Sequence, residues 1–251
     1  MPTPIPAPLP QTCYPAVWLW PGQGLYSGPA LGLQPHSGSV WCLVVGVDAP
    51  LTIDVGGDRI SARTALIPPR VTHHLVMTGP LVSCYLDPAS HRSTSCRRQF
   101  DNVVHGIGIG HHREDLLLNP PADDSSAVRW LDTAAPSVIH DIDPRIELAA
   151  KQIRDDPATV VTAADLAAAA GLSESRFLHL FRAELGTSLR RYRMWCRLLR
   201  AGALLAAGHA LTTAAVDSGF ASPSHLADRF KSTFGLSASR LLATGLQIRV
   251  P

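Results

Sequence analysis

Two short stretches of this chain carry side chains suited to gripping a polyanion. In the first, Ser175, Arg176, His179 and Arg182 recur at three- and four-residue intervals; in the second, Ser224, His225, Asp228 and Arg229 do, with Lys231 close by. On a helix such spacing places all members on one face. Asp228 apart, the chemistry they share is hydrogen-bond donation to oxygen and ring nitrogen. An arginine fork pairs in two places with guanine O6 and N7, and serine, histidine and lysine donate to phosphate oxygens. A solvated helix face is the ordinary reading of such residues, so the elements that carry them decide the matter.

Those elements are written twice. Ala167 and Ala215 lie 48 positions apart, as do Gly171 and Gly219, while Phe181 and Phe230, and Gly186 and Gly235, lie 49 apart. A register held to one residue over that distance is an internal repeat. Each copy reads as a helix-turn-helix. The alanine lets two helices cross closely, and the glycine supplies the left-handed backbone that ends the first of them. Ser173 or Ser222 then caps the second helix, with Pro223 at its first turn. Phe177, Leu178, Phe181 and Leu185 in one copy, and Leu226, Phe230 and Phe234 in the other, recur at helical spacing and are expected to form the apolar side. Thr162-x-x-Asp165 has the form of a capping box at the start of the first copy, and Asp143-Pro144 opens a helix to about Arg154. A long helix from Thr187 to about Ala207 joins the copies and bears Arg190, Arg191, Arg193, Arg197 and Arg200. Arg190 or Arg191 is expected near phosphate and the others in solvent, their stems covering Tyr192 and Trp195.

Gly171 through Arg182, followed by Gly186 to Tyr192, resembles the DNA-binding domain of the AraC/XylS family of transcriptional regulators. The second copy is similar through Gly219-Phe220, Phe230-Lys231 and Gly235 to Arg240. The resemblance covers 143–243. It implies DNA contact by Ser175, Arg176 and His179 of the first copy and by Ser224 and His225 of the second; Arg182, Arg229 and Lys231, with Arg190 or Arg191 on the linking helix, are further candidate DNA-binding residues. Two positions depart from the family pattern. Ala238 stands where proline is usual, and Asp228 stands where arginine is usual, on the exposed face of the second recognition helix. An acid cannot contact phosphate but accepts from a cytosine amine.

The net charge of +2 hides a division: residues 144–251 hold 14 Lys and Arg against 8 Asp and Glu, whereas 1–143 hold 8 against 12. A basic half joined to an acidic half suits a polyanion partner for the former alone. The five cysteines are odd in number and unpaired in pattern, which fits reduced thiols in a cytoplasmic protein. The proline-rich start lacks the basic-then-apolar pattern of a signal peptide, and no apolar stretch spans a membrane. Neither a Gly-x-Ser-x-Gly elbow nor a Gly-x-x-x-x-Gly-Lys loop occurs, and Gly106-x-Gly-x-Gly reads as a turn.

Ahead of the repeat, residues 1–38 read as an extended arm with a short strand at Trp18–Trp20. Apolar runs at 39–47, 51–55, 64–67, 74–78 and 81–86 are separated by Gly, Pro and Asp turns, the pattern of a small antiparallel barrel or sandwich. Leu66-Ile67-Pro68, with His73 and His74 following, resembles a strand of the cupin-type sensor domain that often precedes an AraC-type pair. Helices are expected at 90–100 and 125–131. His73 and His74 are candidate ligand-binding residues. Adjacent on a strand, they face opposite ways, and with no glutamate in 1–113 and no His-x-His pair, no metal is expected.

The fold class is therefore α+β: a small β-rich, cupin-like domain at 1–142 that senses an effector or dimerises, then an all-α double helix-turn-helix domain at 143–251. The expected function is sequence-specific regulation of transcription, without catalysis or cofactor. The partners are double-stranded DNA, a small-molecule effector, a second copy of the chain, and RNA polymerase if the protein is an activator. A cupin-type metal-dependent enzyme with a helical appendage is the alternative, and a dimerisation module that reaches DNA only through a partner is a third reading.

Overall fold

Alternating apolar residues in the first half of the chain build strands, and the helical repeat in the second half builds helices. The computed structural model describes residues 15–138 and 142–251; the proline-rich start and Cys13 lie outside them. The strands are β1 (Ala16–Trp20), β2 (Gln23–Pro29), β3 (Trp41–Gly46), β4 (Leu51–Val55), β5 (Asp58–Ala62), β6 (Thr64–Ile67), β7 (His74–Val76) and β8 (Pro80–Leu86). Next come α1 (His91–Arg97), the hairpin β9 (Asn102–Val104) and β10 (Ile107–Ile109), α2 (Glu114–Leu117) and α3 (Asp124–Ala134). The helical part comprises α4 (Pro144–Asp155), α5 (Ala163–Ala169), α6 (Glu174–Leu185), α7 (Leu189–Ala206), α8 (Leu211–Asp217), α9 (Pro223–Phe234) and α10 (Ala238–Leu242). A last strand, β11 (Gln247–Arg249), follows.

The larger sheet runs β11-β1-β2-β8-β3-β6-β10-β9, and the smaller runs β5-β4-β7. β8 shows how the pleat serves both faces. Val82, Cys84 and Leu86 enter a core with Trp18, Leu25 and Leu43, closed by Trp130 and Leu131 of α3. Leu81 faces the opposite side, toward the space between the sheets, where Val44, Ile53, Ile67 and Ile107 pack. Cys42, Cys84, Cys96 and Cys196 are buried and free.

Residues 15–38 are thus more than an arm. β2 pairs with β8 from Gly24↔Tyr85 to Pro29↔Pro80, because Leu25 and Tyr26 bury apolar surface on both faces. The turn at 105–106 belongs to the β9–β10 hairpin, with His105 and Gly106 both at positive φ. β11 was not anticipated: three residues from the end of the chain pair in parallel with β1, Ala16↔Gln247 to Trp18↔Arg249. No described helix is long and apolar enough to cross a membrane.

Two cores hold the helical part. Ile146, Ile153, Leu166, Phe177, Phe181 and Trp195 belong to the first, which also takes in Val40 and Ala89 from the β-rich half. Leu198, Ala201, Ala215, Phe220 and Leu226 form a smaller second core.

Candidate nucleic-acid interface

The first copy begins with the anticipated capping box: Asp165 N donates to Thr162 Oγ1 at 3.1 Å, and Thr162 N donates to the Asp165 carboxylate at 2.9 Å. These reciprocal bonds satisfy amides that the helix start would otherwise leave bare, and they hold the Asp165 carboxyl below its usual range, chiefly through the Thr162 hydroxyl. Gly171, at φ 65°, ends α5. Arg176 N then donates to Ser173 Oγ at 3.4 Å and opens α6. Burial of Phe177, Phe181 and Leu185 fixes the roll of this helix, so Ser175, Arg176, His179 and Arg182 all face solvent.

The second copy repeats the plan with weaker support. α8 starts without a side-chain cap because Ala210 stands at that position. Ser222 Oγ accepts from His225 N at 3.1 Å to open α9, whose buried residues are Leu226 and Thr233. Ser224, Asp228, Arg229 and Lys231 are exposed. His225 is half-buried, its ring edge-on to Phe220 at 5.6 Å, and its Nε2 accepts from Arg229 Nε at 3.3 Å. Asp228 therefore sits on a face that holds two cations. With Ala238 in place of proline, Ser237 still caps α10, its Oγ accepting from Arg240 N at 3.2 Å.

On the linking helix the arginines divide differently from the expectation. Arg190 is exposed. Arg191 is half-buried and reaches the β-rich half, donating to Ser37 Oγ at 3.3 Å and Gly38 O at 3.4 Å. Of the three expected in solvent, Arg193 donates to Val161 O, Arg197 to Pro157 O at 2.8 Å, and Arg200 to Asp217 O at 2.8 Å. Backbone carbonyls in the 157–161 loop and at the end of α8 lack partners within their own segments, and the long side chains of α7 supply them.

A buried network ties the two halves together, and sequence reasoning missed it. The Asp87 carboxylate, just past β8, accepts from Arg154 at 2.9 Å, from Tyr192 at 3.1 Å and from Ala89 N at 2.8 Å. Burial pushes the Asp87 carboxyl above the usual range, against the opposing pull of Arg154. Nothing in one dimension links an aspartate after a strand to an arginine 67 positions on.

His73 and His74 part company as their adjacency requires. His73 is buried, its ring 4.4 Å from that of His36, and the two residues exchange backbone hydrogen bonds. Burial first, and the neighbouring His36 second, lower its pKa to about 4. His74 opens β7 half-exposed. Among the described residues, no group of three or more His, Cys, Asp or Glu side chains converges on a common point.

An apolar cavity of about 150 Å³ lies elsewhere, between the larger sheet and the second copy. Tyr26, Leu81 and Tyr85 form part of its sheet side, and Trp195, Leu226, Phe230 and Phe234 part of its helical side. Neither His73 nor His74 lines it. Its walls come from segments some 200 positions apart in the chain, which is why spacing gave no hint of it.

A family model described as a helix-turn-helix domain matches residues 166–244. No curated protein matches the chain. Among solved structures, an apo variant of ToxT from Vibrio cholerae strain SCE256 is similar at TM-score 0.55 and 12% identity, covering 92% of this chain and 95% of that one. ToxT from Vibrio cholerae O395, bound to (E)-4-(8-methylnaphthalen-1-yl)but-3-enoic acid, gives 0.55 and 13%, covering 88% and 98%. Unsaturated fatty acid-bound wild-type ToxT from strain SCE256 gives 0.52 and 12%, covering 92% and 93%. This likeness carries the fold, cupin-like β-rich half included, while the domain match carries the two recognition helices. Duplicated, capped and turned outward, the helix pair at 166–244 is a helix-turn-helix domain of the AraC type, set in a chain whose overall fold is shared with ToxT.

Proposed function

We propose that residues 143–251 read DNA through the outward faces of α6 and α9, and that residues 1–142 sense a small apolar effector. The observation that carries the reading is the pair of serine-capped helices with apolar sides packed and polar sides open. Arg176 is the leading base reader, and Ser175, His179 and Arg182 flank it. Ser224, His225, Arg229 and Lys231 serve the second copy, and Arg190 meets phosphate. Arg191, drawn toward Ser37, contributes to DNA only if that contact opens.

The cavity between sheet and second copy is the proposed effector site. Its wall includes Phe230 and Phe234 of α9, so occupancy bears directly on the second recognition helix. A ligand acts there only through a difference in affinity for two arrangements of that helix. The ToxT structures bound to an unsaturated fatty acid and to an aryl butenoic acid support an apolar effector. The protein acts in the cytoplasm without catalysing a reaction. A second copy of the chain, and RNA polymerase if it activates, complete the assembly.

Fluorescence anisotropy with labelled duplex DNA over a salt series tests the DNA reading. Log affinity is expected to fall linearly with log salt, with a slope of about −0.9 per neutralised phosphate. Arg176→Ala should weaken specific binding by about 1–3 kcal/mol and relax selection at one base pair. Folded protein that fails to bind duplex DNA at low salt would overturn the proposal.

A further inference from the structure

Resting on the reading of the cavity as an effector site, we infer that it selects an uncharged ligand bearing a single hydroxyl or carbonyl group, held by Ser83. No lysine, arginine, histidine or carboxylate lines the cavity. Most of its polar atoms are already engaged. The Tyr26 hydroxyl donates to Pro29 O at 2.8 Å, Trp195 Nε1 donates to Gly22 O at 3.0 Å, and the Tyr85 hydroxyl pairs with the Cys42 thiol.

Ser83 differs from these. It lies on the cavity side of β8 between Leu81 and Tyr85, it is 4% exposed, and among the described residues its hydroxyl has no hydrogen-bond partner. A serine hydroxyl both donates and accepts, so it satisfies either an alcohol or a carbonyl oxygen. An ionised carboxylate in the same place would lose its hydration and meet no counter-charge. Arg240, whose guanidinium approaches Gly32, is exposed on α10 and is not part of the wall. The site therefore favours a neutral lipophile over acids such as those bound by ToxT.

A matched set separates the possibilities: decanol, decanal and decanoate share a chain and differ at the head group. Each is titrated into the full chain at neutral pH below its micellar concentration, by calorimetry and tryptophan emission. Decanol and decanal are expected to bind at least about tenfold more tightly than decanoate. Ser83→Ala, which removes no existing hydrogen bond, should weaken decanol about threefold to tenfold without lowering Tm. Decanoate binding as tightly as decanol overturns the inference, and loss of that tightness in Arg240→Ala would locate the acid at the rim. Decanol affinity unchanged in Ser83→Ala overturns the role given to its hydroxyl. If none of the three binds folded protein, the effector site falls, and the inference with it.

Discussion

Replacing Gly186 and Gly235 by alanine, one at a time, puts the same change into two positions that the repeat makes equivalent. Both end a recognition helix with left-handed backbone, at φ 64° and 75°. An alanine Cβ in that region costs about 1–2 kcal/mol at either site. The surroundings then separate them. Around Gly186 an added Cβ meets nothing within 4 Å. Around Gly235 it overlaps the backbone carbonyl oxygen of Gln34 and lies 2.8 Å from His36 Nδ1. The segment before β3 must withdraw, which breaks the 2.8 Å hydrogen bond from Gln34 N to Gly235 O. That bond contributes about 1 kcal/mol net, and the displaced backbone adds at least as much. Gly235→Ala should therefore lose about 2 kcal/mol more than Gly186→Ala, an extra fall in Tm of about 4 °C or more for a chain of this size. Scanning calorimetry on the two variants at one protein concentration reads the difference. Equal losses would refute the reasoning, because they would mean that the 34–36 segment does not bear on the second copy.

Asp87→Ala leaves the Arg154 guanidinium, its side chain 21% exposed, without its carboxylate, and should cost about 3 kcal/mol. Adding Arg154→Met should recover part of that loss, and a double-mutant cycle in urea measures the coupling; strict additivity would mean the pair is energetically idle. His73 has a folded pKa near 4 against an unfolded value of 6.5. As a base with a depressed pKa, it contributes stability that is fully present above 6.5 and is lost as pH falls through about 4. That loss is at most about 3 kcal/mol. The urea midpoint of His73→Gln should accordingly vary less with pH across this window than that of the unaltered chain, and parallel curves would contradict the assignment. Asp228→Arg replaces an exposed acid beside Arg229 and Lys231, and should steepen the salt dependence of non-specific DNA binding by about one unit of slope. An unchanged slope would place that face away from the phosphate backbone.

Local rules made much of this protein legible in one dimension. The helix-turn-helix copies announce themselves because caps, left-handed glycines and 3.6-residue apolar spacing act within a turn or two of chain. Thr162 with Asp165, Ser173, Ser222 and the glycines at 171, 186, 219 and 235 could each be read without knowing any distant neighbour. The runs around β3, β4, β6 and β8 were equally visible from alternation. β2 was hidden by its Gly and Pro content, and β11 by its length, since three residues carry no periodicity. What the sequence could not decide is whatever depends on which distant segments meet. It made Gly186 and Gly235 equals, and only packing against Gln34 and His36 distinguishes them. It set Arg193, Arg197 and Arg200 of α7 in solvent, whereas carbonyls brought close by folding engage all three. Asp87 with Arg154, and Ser83 facing Phe230 and Phe234 across an apolar cavity, exist only once the sheet lies on the helices. Burial and pairing are properties of that three-dimensional contact, and no local pattern encodes it.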